Sequence, residues 1–177
     1  MHGGAIAVIF AAGHSELVKK LVLIDPAGYP VHIPLPGRIA RTPAVGDYIM
    51  QVLGNRFMVK EANDNFHRYD KLGEFMKGFK AQMVYRGYKR ALLSTLRNFN
   101  LSDQRISYEI VGRQGRPVLL IWGREDRIIP FANSDMIRNA IPHTIFHAIE
   151  DCGHIANFEK PEMVNPILID FLMRSRS

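Results

Sequence analysis

Three short stretches of this chain carry the side chains that could do chemistry. KKLVLIDPAG (19–28) ends an apolar run on Asp25, and PVLLIWGREDRIIP (117–130) places Glu125 and Asp126 just after a second apolar run. EDCGHIANFE (150–159) places Asp151, Cys152 and His154 after a third, TIFHAI (144–149). An acid beside a histidine is the acid–base part of a charge system, in which the carboxylate fixes the imidazole tautomer and stabilises the imidazolium. Such a pair acts on a nucleophile or on a positioned water. The residue types alone leave open which of Asp25, Glu125, Asp126 and Asp151 would serve His154.

The elements around these stretches must bring them together. The three apolar runs are short and bounded by charges, proline and glycine, which predicts buried strands. A short helix is expected over 133–140, and KPEMVNPILIDFL (160–172) reads as a closing amphipathic helix. Its Pro161 falls in the first turn, where proline is tolerated, while Pro166 is expected to kink it. Strands alternating with helices imply a parallel sheet with right-handed crossovers, here with the strands in chain order. Ligands of such sheets bind outside the carboxyl ends of the strands, where Asp25, Glu125, Asp126, Asp151 and His154 all fall. Residues 3–12, GGAIAVIFAA, are apolar on every side, and a helix of that kind calls for burial all round. From Val31 to about Gln114 the character changes: Pro34, Pro36 and Pro43 are followed by helical patterns rich in Met, aromatic and basic residues. The expected organisation is a core of 1–30 and 115–177 with a helical cap, 31–114, inserted into it.

KKLVLIDPAG, PVLLIWGREDRIIP and CGHIANFEKPE followed by the IDFL helix together resemble the C-terminal part of an α/β-hydrolase-fold protein of the capped serine hydrolase or esterase type. The resemblance implies a truncated α/β-hydrolase fold: a short parallel sheet with flanking helices and an inserted helical cap. It implies Asp126, in the WGxxD motif, as catalytic acid and His154, in the GH motif, as catalytic base. Asp25 ends the strand where some members, such as haloalkane dehalogenases, place their acid, and is the alternative. In the family, G-x-S-x-G-G forms the nucleophile elbow ahead of an apolar helix. Laying Gly3 and Gly4 on its last two glycines puts His2 on the variable position and Met1 on the serine. The family's first five strands, and a loop that gives one oxyanion-hole amide, have no counterpart. A thioether has no proton to lose, so the chain as written is expected to be a poor hydrolase. The implied parent activity is hydrolysis of a carboxylic ester, or a related carbon–carbon bond, by a Ser-His-Asp triad. Two other readings stand beside it: a non-catalytic, self-associating module, and water activation by His154 without a covalent intermediate.

No substitute nucleophile stands out. Ser15 lies in GHS, but Glu16 and Leu17 follow where glycine is required, so a turn role is expected. Cys152 is expected to pack beneath its loop, and Glu125 and Asp151 to be solvated loop charges. His32, His67, His143 and His147 show no metal-ligand spacing, and there is no phosphate-binding glycine loop, so neither a metal nor a cofactor is expected. A single cysteine excludes an intramolecular disulfide. The net charge of +6 is spread along the 177 residues with no basic stripe interleaved with aromatics, against nucleic-acid binding. No apolar stretch reaches membrane-spanning length, and 3–12 lacks the flanks of a signal peptide. The expected setting is cytoplasmic, with a small ester-like substrate. An unpaired edge on the 19–25 strand and the apolar helix 3–12 are expected to drive homo-oligomerisation, partial unfolding or rearrangement.

Overall fold

The computed structural model describes residues 2–30, 35–98 and 103–174, with the side chains of His2 and Pro36 left aside. The described residues form three strands, β1 (Leu21–Ile24), β2 (Val118–Gly123) and β3 (Ile145–Ile149), and nine α-helices. The helices are α1 (His2–Gly13), α2 (Leu35–Ala40), α3 (Val45–Asp64), α4 (Leu72–Met83), α5 (Tyr88–Asn98), α6 (Arg105–Arg113), α7 (Asn133–Ala140), α8 (Ala156–Glu159) and α9 (Pro161–Met173).

The strands are parallel in the order β1-β2-β3, as expected from their alternation with helices. Leu21 pairs with Val118 and Ile24 with Ile121, while Leu119 pairs with Ile145 and Gly123 with Ile149. β2 is buried along its whole length, which is why its sequence is a continuous apolar run rather than an alternating one. On one face, Leu119 and Ile121 pack with Ile149, Cys152, Ala156, Val164 and Phe171, so α8 and α9 close that side. α1, α6 and α7 form a second set of packed helices, with α1 against β1 and α6.

The chain divides into two compact units: 2–30, 65–68 and 103–174 in the first, and 35–64 and 69–98 in the second. The sequence boundary at 114 differs from this division. α6 belongs with the sheet, because Tyr108 and Val111 are fully buried there and Tyr108 donates its hydroxyl to the Ala27 carbonyl at 2.7 Å. Residues 65–68 also belong with the sheet, although the chain on both sides of them is helical and lies in the second unit. Within that unit α3 is the longest helix and packs with α2, α4 and α5, burying Met58, Ala62, Met76 and Leu93. There Arg97 forms a two-pronged ion pair with Asp47.

One expectation fails. α1 is not buried all round: Ala5, Val8 and Ala11 are fully buried, but Ile6 is 55% and Phe10 47% exposed. Only the side facing β1 and α6 is covered by described residues. α9 runs from Pro161 to Met173 with Pro166 inside it.

Candidate active site

β2 ends on Gly123, and the turn after it carries Asp126. The Oδ1 of Asp126 accepts the backbone N–H groups of Ile128 (2.8 Å) and Ile129 (2.9 Å), so the turn folds around its own carboxylate. The other oxygen, Oδ2, lies 2.7 Å from Nδ1 of His154. This pair is shut away from solvent, with side-chain exposures of 3% for His154 and 0% for Asp126. A carboxylate can only accept, so Nδ1 bears the hydrogen and the neutral ring keeps its lone pair on Nε2. Among the described residues Nε2 has no hydrogen-bond partner. A buried base, oriented on one side and unengaged on the other, is the arrangement that accepts a proton from an attacking hydroxyl.

The turn carrying His154 is tightly held. Its backbone N–H donates to the Asn65 carbonyl at 2.7 Å, and Glu125 N–H donates to the Cys152 carbonyl at 3.0 Å. A β-carbon at Gly153 would collide with the Asn65 carbonyl oxygen and come within 2.7 Å of the His67 nitrogen, so only glycine fits.

Asp25 is also buried, 1% exposed, but is not a partner of His154 in any hydrogen bond of the structure. Its Oδ1 accepts the Gly123 N–H at 2.8 Å and Oδ2 the Ala156 N–H at 3.4 Å, tying the end of β1 to the end of β2 and the start of α8. Burial pushes its carboxyl well above the usual carboxylate range; the Gly123 N–H opposes this and the nearby Asp126 charge adds to it. Asp25 adopts φ 44°, a left-handed conformation that aspartate tolerates better than most residues. Its observed bonds are those of a structural group.

Glu125 is half-buried and accepts the Cys152 N–H at 2.9 Å, which departs from a freely solvated charge. Asp151 is exposed. Cys152 is fully buried; burial, with the charges of Glu159 and Asp25, pushes its thiol up to about 12, which makes it inert as a nucleophile. Ser15 opens an exposed 3-10 turn. Met1 lies outside the described residues, as does the side chain of His2. Of the two N-terminal glycines, Gly4 is required by contact, since a β-carbon there would run into Pro26, whereas Gly3 faces open space.

Two features had no counterpart in the sequence reading. Glu159 is 3% exposed and accepts backbone N–H groups from Gly153 in the turn and from Arg68 in segment 65–68. The segment 65–68 packs onto that turn, with Phe66 1% exposed and edge-on to Phe158. Glu159 sits in NFEKPE, where an acid ahead of a proline-started helix reads as a solvated first-turn charge, and in NFHR the lone Phe66 is the one apolar signal among polar neighbours.

The family model described as alpha/beta hydrolase fold matches residues 2–161. The chain belongs to the alpha/beta hydrolase fold family. Among curated relatives, an uncharacterized hydrolase of Bacillus subtilis, YugF, is 25% identical over 96% of this chain and 62% of its own. A 2-hydroxy-6-oxononadienedioate/2-hydroxy-6-oxononatrienedioate hydrolase of Paraburkholderia phymatum is 28% identical over 96% of this chain and 59% of its own. The alpha/beta hydrolase chain described here therefore spans about three-fifths of the length of these relatives. A solved 2-hydroxy-6-oxo-6-phenylhexa-2,4-dienoate hydrolase from Rhodococcus sp. strain RHA1 superposes with TM-score 0.73 at 20% identity, covering 97% of this chain and 61% of that one. A thermophilic esterase from Thermogutta terrifontis gives 0.71 at 22% identity, covering 96% and 61%. These two likenesses speak to the fold. Among the described residues no helix is long and apolar enough to cross a membrane.

Proposed function

We propose that this chain carries the acid–base half of a hydrolase acting on a small carboxylic ester, or on a related carbon–carbon bond next to a carbonyl. The observation that carries the reading is the buried Asp126–His154 pair at 2.7 Å with Nε2 unengaged among the described residues. In this reading Nε2 takes the proton of an attacking hydroxyl while its oxygen bonds to the substrate carbonyl carbon and the carbonyl electrons move to oxygen. Asp126 steadies the imidazolium, which then returns the proton to the leaving group. The hydrolase names of the curated relatives support the reaction class, and the 2-hydroxy-6-oxo acid in one of them supports the carbon–carbon alternative. The triad serine is assigned to the position held by Met1, whose thioether cannot be deprotonated. Covalent turnover by this chain is accordingly expected to be weak, with water the remaining candidate nucleophile. The test is hydrolysis of a short-chain p-nitrophenyl ester by the purified chain beside His154→Ala. Turnover abolished in the variant upholds a working pair; equal background rates in both sink the activity for this chain.

One observation favours a second reading, a self-associating module without catalysis. Ile6 and Phe10 are exposed on α1, and β1 pairs on one side only among the described residues. Such an apolar surface beside an open strand edge invites a second copy. A defined oligomer in sedimentation, with intact tertiary structure and no ester turnover, is its signature.

A further inference from the structure

We infer that Glu159 is a positioning residue for His154, acting through the strut formed by residues 65–68; the catalytic meaning of that role rests on the hydrolase reading above. A carboxylate only 3% exposed needs strong partners to be tolerated. Glu159 takes them from the backbone: Oε2 accepts Gly153 N–H at 2.8 Å and His67 N–H at 3.3 Å, and Oε1 accepts Arg68 N–H at 2.6 Å. Cys152 Sγ lies 4.0 Å from Oε2.

These bonds close a triangle. Gly153 immediately precedes His154, whose own N–H is held by the Asn65 carbonyl at 2.7 Å. Two consecutive amides of the turn are thus fixed, one by Glu159 and the next by a strut that Glu159 itself anchors through two further amides. The absence of space for a β-carbon at Gly153 and the edge-on packing of Phe66 against Phe158, 6.1 Å between centroids, leave the strut little freedom. Asp126 orients the imidazole ring and the clamp fixes the backbone that carries it. Losing Glu159 leaves three amides without their acceptor and frees the strut, so His154 swings relative to Asp126.

The test reads this geometry without relying on turnover. In the purified full chain, the downfield proton resonance of His154 Nδ1–H and the exchange of the Gly153, His67 and Arg68 amides are compared with those of Glu159→Gln and Glu159→Ala. The expected result for Glu159→Ala is loss of the downfield resonance and exchange about tenfold or more faster at those amides, with the β2 amides unchanged. Glu159→Gln keeps one acceptor oxygen and should retain a shifted resonance. An unaltered resonance with unaltered exchange in Glu159→Ala overturns the proposal. So does fast exchange of the Gly153 and Arg68 amides in the parent chain, a measurement that decides the matter even where the alanine variant does not fold. Where ester turnover is present, both variants should lower kcat with KM unchanged. Absence of turnover in the parent chain bears only on the hydrolase reading, because the resonance and the exchange rates judge the clamp independently.

Discussion

The Asp126 carboxylate does two separable jobs, and comparing Asp126→Asn with Asp126→Ala separates them. Oδ1 caps its own turn through the Ile128 and Ile129 amides, while Oδ2 pairs with His154. Asparagine keeps an oxygen for the two amides and turns its NH2 toward the ring, so the imidazole must accept at Nδ1 and carry its hydrogen on Nε2 instead. The stability lost is the difference between a charge-assisted bond, worth about 1.5–3 kcal/mol, and a neutral one of about 1, so a cost near 1 kcal/mol is expected. Alanine strips all three bonds and leaves two amides and a ring N–H unpaired. That cost should reach about 3–5 kcal/mol, since each buried donor left without its acceptor costs about 1–3 kcal/mol. Urea unfolding gives both numbers, and the nitrogen shifts of His154 give the tautomer. The expected outcome is a small loss with an inverted tautomer for asparagine, and a large loss for alanine. Where turnover is measurable, asparagine should lower it by about 10⁴-fold, the penalty for a wrong tautomer in a serine-protease triad. Equal destabilisation by the two variants, or an asparagine variant whose ring keeps its hydrogen on Nδ1, would refute the assignment of separate jobs to the two oxygens.

Burial raises the folded-state pKa of Asp25 above its ordinary 3.8, so the native state holds that proton more tightly than the unfolded chain. Its contribution to stability is therefore full below about 3.8 and is lost as pH rises toward the raised value, by at most about 1.4 kcal/mol per pH unit. Asp25→Asn, which resembles the protonated form, should flatten that slope in urea titrations run across pH, and an unchanged slope would count against it. Cys152, fully buried with its thiol pushed up to about 12, should resist alkylation by iodoacetamide in the native chain and react only on unfolding; rapid native labelling would contradict its placement. Phe66→Ala should cost about 3–5 kcal/mol, the usual loss for a core phenylalanine, whereas a residue in an ordinary loop would cost almost nothing. For the self-association reading, Ile6→Glu with Phe10→Glu should shift any oligomer toward monomer in sedimentation without loss of helix, since both side chains are about half exposed.

The sheet was legible because each strand is a short apolar run with unambiguous punctuation, and β2, buried along its whole length, is the longest of the three. The acid–base pair was legible through motif residues that sit just past strand ends, where the register of parallel strands gathers them. What the sequence hid has a common cause. Segment 65–68, Asn-Phe-His-Arg, joins the core through one buried side chain, Phe66, and through its backbone, whose donors and acceptors leave no trace in residue type. Glu159 is hidden for the complementary reason: its partners are amides rather than cations, so no oppositely charged residue in the sequence advertises it. The burial of α1 was over-read because an all-apolar helix needs cover on every side, while the described residues supply it on one.

Asp25, Asp126 and Glu159 are three buried carboxylates gathered around one turn, and all three are satisfied by backbone N–H groups. A carboxylate paired with a surface lysine can be screened or lost with a change of rotamer, whereas amides fixed in strand ends and turns keep their direction. Asp25 takes backbone N–H groups alone, Glu159 adds only the Cys152 thiol to its three amides, and only Asp126 reaches a ring. The local electrostatics of His154 are thereby set by elements from β1, β2, α8 and segment 65–68 together, all within residues 25–159. Among the described residues the ring keeps Nε2 buried without a partner, an arrangement that ordinarily costs about 1–3 kcal/mol. Replacing His154 by an apolar residue of similar size removes that cost but orphans the second oxygen of Asp126. Pairing the change with Asp126→Asn should recover part of the loss, and a double-mutant coupling near zero would mean that the 2.7 Å contact contributes nothing to holding the site.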